Sequence, residues 1–273
     1  MKKSIGVYSK IIIIIFLIMV VAWFYIFNTQ LKNITSNFVY GAALGVLPII
    51  AAFFGFNNAK HWGGFSSSMG KAIYFLSGGL LTWGIGTLIF AYYNLFLNVA
   101  VPYPSLADAL YIISWPLWAI SMVNFSRATG VKFQLSNLTG RFMLFIIPLI
   151  AIIISYYTLI IVARGGVIDI SGGALKTFFD LAYPIGDVVI LTIALLIYGL
   201  SFNYLGGFFK WPIIMVLAGF VANYIGDFTF VYTVTKETYF VANWVDLIYT
   251  SAFFLLGLAV TMLDPRLFSK HSK

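Results

Sequence analysis

Apolar residues run along this chain in blocks of about twenty, separated by short polar connections rather than by the alternation of a half-exposed helix or strand. The blocks predict eight helices, at about 11–28, 37–56, 72–97, 107–126, 142–163, 177–202, 211–233 and 243–263. A hydrocarbon core of roughly 30 Å takes about 20 apolar residues per helix, so each block has the length of one crossing. The pattern predicts an all-α polytopic membrane helix bundle, a single transmembrane domain over residues 1–273 with no soluble domain. Lys2, Lys3 and Lys10 precede the first block as in a signal peptide. That block continues through Trp23, Phe24 and Tyr25 to Phe27 without a small-residue cleavage site, which predicts a retained helix.

Composition agrees and removes several chemistries. The chain is 62% hydrophobic and 9% charged, with a mean hydropathy of +0.99, and no water-soluble globule of this length could cover its surface with so few charges. Without cysteine there are no disulfides, thiolate nucleophiles, iron–sulfur clusters or cysteine-ligated zinc. His61 and His271 both fall outside the apolar blocks, which leaves an intramembrane haem without ligands, and no Lys stands midway along a block to bind retinal. HExxH, GxSxG and a Gly-rich phosphate loop followed by Lys are all missing. The expectation is a non-enzymatic protein with no cofactor and no metal centre.

The net charge of +8 is spread over the connections rather than gathered in a patch, so it reads as a topology signal and not as a nucleic-acid surface. With eight crossings, Lys2, Lys3, Lys10, Lys60, Lys71, Arg127, Lys132, Arg141, Lys210, Arg266, Lys270 and Lys273 share the side of both termini. Only Lys32, Arg164, Lys176 and Lys236 lie opposite. The positive-inside rule then places both termini in the cytoplasm of a multi-pass cell-membrane protein. Acids sort the other way: Asp108, Asp169, Asp180, Asp187, Asp227, Glu237 and Asp246 fall in the outer half or outer loops, and Asp264 alone is inside.

The chain also echoes itself. Ser105-Leu-Ala-Asp108-Ala-Leu-Tyr111 opens the fourth helix, Thr177-Phe-Phe-Asp180-Leu-Ala-Tyr183 the sixth and Asn243-Trp-Val-Asp246-Leu-Ile-Tyr249 the eighth, with Asn37-Phe-Val-Tyr40 a weaker copy at the second. Ile85-Gly86-Thr87 in the third helix matches Ile225-Gly226-Asp227 in the seventh. These echoes predict four repeated two-helix hairpins in parallel arrangement. The Ser/Thr/Asn-x-x-Asp spacing is that of a capping box, and tyrosine one turn later belongs to an interfacial belt. Asp108, Asp180 and Asp246, with Tyr111 and Tyr249, are therefore expected as helix caps and outer-rim residues.

Capping does not account for Asp187 and Asp227. Asp187 lies about ten residues into the sixth helix, roughly 15 Å from its start, and neither acid has an Arg or Lys in an apolar block to pair with. An Asp at the bilayer centre costs about 2.5–3.5 kcal/mol, so both must turn inward and be protonated, hydrogen-bonded or cation-bound. Asp180, Tyr183, Pro184 and Asp187 share one helical stripe and Asn223 and Asp227 another. The candidate ligand- or cation-binding set is Asp187, Asp227, Tyr183, Asn223 and Asp180; a buried structural network is the competing reading. Pro184 frees a carbonyl nearby. Gly41-Ala-Ala-Leu-Gly45 reads as a helix-packing GxxxG. Trp83, Trp115 and Trp118 suit aromatic packing, or the lining of a ligand cavity. Residues 57–71 read as a flexible loop, and Asn33 begins the one glycosylation sequon placed outside, those at Asn124 and Asn137 lying inside.

Pro102-Tyr-Pro104-Ser105-Leu-Ala-Asp108-Ala-Leu-Tyr111, with Tyr183-Pro184-Ile-Gly186-Asp187 and Tyr224-Ile-Gly226-Asp227, resembles the multi-spanning sensory regions that precede diguanylate cyclase and phosphodiesterase domains in bacterial signalling proteins. The resemblance implies a membrane module that perceives something at or outside the bilayer. About ten residues follow the eighth helix, too few for an output domain, so a membrane-protein partner or complex is expected besides the lipid bilayer. A proton- or cation-coupled transporter and an accessory subunit of a larger complex are the alternatives.

Overall fold

The computed structural model describes residues 6–29, 31–32, 34–129, 138–167, 173–201 and 209–269. Asp169, the sequons at Asn33 and Asn137, His271 and the charges Lys2, Lys3, Lys132, Lys270 and Lys273 lie outside the described residues. All regular structure among the described residues is helical: α1 Val7–Thr29, α2 Thr35–His61, α3 Ser68–Tyr92, α4 Leu106–Ala128, α5 Leu138–Ser155, α6 Gly173–Ser201, α7 Lys210–Thr235, α8 Trp244–Met262 and a short α9 Arg266–Ser269. The π-helical stretches Tyr93–Leu97 and Tyr156–Val162 continue α3 and α5. Eight of these helices are long and apolar enough to cross a membrane. Each matches one apolar block, with ends within about five residues of the pattern.

The largest difference is at the end of α2. The helix outruns its apolar block to His61, a 3-10 turn spans Gly64–Ser66, and α3 already starts at Ser68, so most of the loop expected over 57–71 is structured. Asn58 is buried there and donates from Nδ2 to the Val260 carbonyl at 2.9 Å, and Trp62 Nε1 donates to the Leu263 carbonyl at 2.9 Å. Satisfying those carbonyls at the end of α8 is what prolongs α2.

Consecutive helices alternate in direction. Ser9, at the start of α1, bonds Thr261 at the end of α8 (3.0 Å), while Trp23 near the end of α1 reaches the Asn243 carbonyl at the start of α8 (2.9 Å). Starts of the odd helices through α7 and ends of the even ones therefore share one face, here the terminal face; the opposite face is the distal face. Helix α8 is central, packing on α1, α2, α3 and α7, and the circuit closes through α3–α4, α4–α6 and α6–α7, with α5 against α6 and α7. Helices α1 and α5 bury the least of their length, about a fifth, which leaves their apolar surfaces for lipid.

Small residues set the close contacts. A Cβ on Gly45 would fall 2.8 Å from the Gly84 carbonyl and one on Gly84 2.7 Å from that of Gly45, so the backbones of α2 and α3 touch, whereas Gly41 faces Val241. Trp83 packs on Trp118 (ring centroids 5.8 Å) and Phe253 (5.4 Å), and Trp118 meets Phe220 edge-on at 5.4 Å. These rings from α3, α4, α7 and α8 form an aromatic layer across the bundle.

Candidate functional site

Helix α6 places Asp187 at its centre, with fourteen residues of helix on either side, about 21 Å from its start at 1.5 Å per residue. The side chain is 5% exposed. It faces α7, where Asp227 is 8% and Asn223 4% exposed. The two carboxyl groups are in hydrogen-bonding contact. Asp227 also accepts from Asn223 Nδ2 through Oδ2 (2.8 Å) and from the Tyr249 hydroxyl through Oδ1 (2.7 Å). Three helices thus converge on Asp227, and both its oxygens carry a donor. Asn223 Oδ1, the other end of that amide, is buried without a partner.

Local sequence explains the approach. Gly226, just before Asp227, lies beneath the Tyr249 ring, where a Cβ would fall 2.8 Å from Cε1. Gly186, just before Asp187, lies beneath Trp115 of α4, where a Cβ would fall 2.2 Å from Cε3. Each Ile-Gly-Asp triplet therefore docks a helix against an aromatic ring through glycine and turns the next residue, the acid, into the interior. The same contact recurs between α3 and α4: a Cβ on Gly86 would fall 2.8 Å from Tyr111 Cε1, and the Tyr111 hydroxyl donates to Thr87 Oγ1 at 3.4 Å.

Asp108, Asp246 and Asp180 each take a tyrosine. Tyr183 of α6 donates to Asp108 Oδ1 of α4 at 2.8 Å, while the backbone N and Oγ of Ser105 donate to Asp108 Oδ2 at 2.7 and 2.9 Å in a full capping box. Tyr239 donates to Asp246 Oδ1 at 3.0 Å and the Ala242 N–H to Oδ2 at 2.6 Å. Burial beside that carboxylate pushes the Tyr239 hydroxyl well above its ordinary range. Tyr103, before α4, donates to Asp180 Oδ1 at 2.9 Å and is likewise pushed up by burial and by that acid. Lys176 (3.2 Å) and Arg164 (3.7 Å) complete the ion pairs of Asp180.

The expected cluster is therefore divided. Asp187, Asp227 and Asn223 are together, as the helical stripes predict, but Asp180 and Tyr183 bond elsewhere. Asp180 stands seven residues inside α6, because the helix begins at Gly173, so it caps nothing. The carbonyl of Asp180 that Pro184 frees accepts from Arg164 Nη1 at 3.0 Å and does not point to the deep acids. At α8 the cap is Asn243, accepting from the Val245 N–H at 2.8 Å, and Asp246 instead holds the turn ahead of the helix through Ala242. Tyr249, expected at the rim, is buried and is the third member of the deep site. The matching Ile-Gly steps were the available sequence signal for it, since each needs a ring opposite.

Among the described residues no Asp, Glu, Lys, Arg or His continues the site toward the terminal face before the helix ends, although uncharged polar side chains such as Thr192 of α6 are buried there. The aromatic layer of Trp83, Trp118, Phe220 and Phe253 lies on that side of Asp227, and a small cavity deeper between α4, α6 and α7 is walled by apolar side chains, among them Met122, Phe125, Ile197 and Val216. Ionisable residues return only at the helix ends, at Lys60, Lys71, Arg127, Arg141 and Lys210. Among the described residues no three His, Cys, Asp or Glu side chains gather as metal ligands. In comparisons with known proteins, no protein family, no curated protein and no solved structure gives a match to this chain.

Proposed function

We propose that the protein is a non-enzymatic multi-pass module of the cell membrane, with both termini cytoplasmic, that recognises a small ligand at the Asp187–Asp227 site from the exterior and passes the occupied state to a membrane-protein partner. The observation that carries this reading is a contact between two carboxyl groups at the middle of a helix bundle, fully surrounded, with no cationic side chain beside it. Such a pair is costly to bury and is bridged by three separate helices, so a change in what it holds alters how α6, α7 and α8 meet. Acid–tyrosine pairs occupy the distal side and an aromatic layer the other, which favours one-sided access. The charge count supports the distal face as the exterior, and the matching Gly–Tyr contacts of α3–α4 and α7–α8 support a repeated hairpin. The short motifs that resemble bacterial sensory regions agree with a recognition role.

Coupled transport is the second reading, because unpaired intramembrane acids also serve carriers. Against it, no acid or base continues from the pair toward the terminal face within the described spans. The test is gentle purification with identification of bound ions, lipids and proteins, followed by Asp187→Asn and Asp227→Asn. Recognition predicts folded variants that have lost a bound species or partner; variants that fail to fold with nothing bound in the wild type would leave only a scaffold. Sustained ion flux by the protein in sealed liposomes would establish the carrier instead.

A further inference from the structure

We propose that Asp187, Asp227 and the amide oxygen of Asn223 form a site for one Na+ ion, bound in competition with a proton; this rests on reading the deep carboxyl pair as a recognition site. Two carboxyl groups in hydrogen-bonding contact share one proton, because without it two like charges face each other at bonding distance. The pair then still carries a single negative charge. The groups facing Asp227 are Asp187 from α6, Tyr249 from α8 and Tyr111 from α4, within electrostatic reach, with Asn223 on its own helix. None is cationic, and no Lys, Arg or His occurs in the interior of any spanning helix. One further positive charge neutralises the site.

Asn223 indicates what form that charge takes. Its Nδ2 is fixed on Asp227 Oδ2, which leaves Oδ1 as a buried acceptor with no donor. A second proton satisfies that acceptor only if its O–H is turned from the carboxyl pair onto Oδ1, whereas a hard cation is held by carboxylate and amide oxygens together. The site lacks a third carboxylate or a histidine among the described residues, so a divalent ion finds too few anionic ligands. A monovalent ion matches the one residual charge. Na+ therefore competes with the second proton and leaves the shared one in place: as the external pH falls a proton enters and Na+ leaves, and the net charge of the site is unchanged by the exchange.

The experiment is thermal unfolding and calorimetric titration of the purified full chain in NaCl against N-methyl-D-glucamine chloride at equal ionic strength, across about three pH units. Na+ is expected to stabilise the wild type and to bind about tenfold more weakly for each unit the pH falls while one proton competes. Asn223→Ala, which removes the orphan acceptor and neither acid, is expected to weaken Na+ at least tenfold; Asp187→Asn and Asp227→Asn are expected to abolish it. Identical behaviour of the wild type in the two salts at every pH overturns the proposal. If an indicator dye then still reports a proton bound and released by the wild type and lost in Asp187→Asn, only the ion was wrong and the recognition site stands. If neither ion nor proton exchange depends on the two acids, both readings fall.

Discussion

Replacing Tyr249 by Phe removes one oxygen atom and leaves the rest of the deep site in place. The ring keeps Gly226 beneath it and its parallel contact with Phe253, at 6.4 Å between centroids and 10° between planes. What is lost is the 2.7 Å bond to Asp227 Oδ1, on a carboxyl group that is 8% exposed. Hydrogen bonds to charged groups contribute about 1.5–3 kcal/mol, and a buried acceptor left without its donor forfeits most of that. We expect a loss of about 2 kcal/mol. Tyr183→Phe is the internal comparison: it removes a 2.8 Å bond to Asp108, but Asp108 keeps two bonds from Ser105 and the tyrosine is only partly buried, so about 1 kcal/mol is expected. Reversible unfolding in mixed micelles, followed by tryptophan fluorescence, measures both. A double-mutant cycle of Tyr249→Phe with Asp227→Asn should give a coupling of at least about 1.5 kcal/mol. Additivity within about 0.5 kcal/mol would show that the hydroxyl and the carboxyl do not interact, and the convergence of α8 on the acid pair would be refuted.

Gly226→Ala and Gly86→Ala each drive a Cβ to 2.8 Å from a tyrosine ring carbon, against 3.6 Å from Leu117 at Gly78. Each of the first two should cost about 1–3 kcal/mol in the same unfolding assay, with Gly78→Ala close to neutral. Because the folded protein holds the Tyr239 proton more tightly than the unfolded chain does, the stability it contributes is complete below about pH 10 and lost as pH rises beyond it. Unfolding measured from about pH 8 to about pH 11 should therefore fall off less steeply in Tyr239→Phe. Arg164→Gln should cost about 1–3 kcal/mol in the same assay, more than an exposed ion pair would, because both side chains are 13% exposed and the Asp180 carbonyl loses its Nη1 donor, although Asp180 keeps Lys176 and Tyr103.

The helices were legible because hydropathy blocks respond to one strong constraint, that backbone polar groups in lipid must bond within their own helix. That constraint says nothing of where a helix ends once a neighbour can satisfy its last turn, which is why α2 ran past its block to reach the carbonyls of Val260 and Leu263. The pairing of Asp187 with Asp227 was legible in part. An acid deep in an apolar block has to turn inward, and two such acids without cations are driven to the same interior. What a stripe of residues could not convey is which neighbouring helix each polar atom meets. Asp180, Tyr183 and Asp187 share one face of α6, yet the first bonds Arg164, the second Asp108 and the third Asp227, because α5, α4 and α7 meet that face at different heights. Tyr249 reads as an interfacial residue from its distance to the start of α8, but Val245 and Asp246 in the first turn of α8 are already buried and Gly226 leaves room for the ring. A polar site shared by several helices is thus set by the glycines that fix helix approach. Moving those glycines, rather than the acids, should be the more severe way to take the site apart, since the acids can be neutralised as amides while a ring displaced by a methyl group has no alternative place to pack.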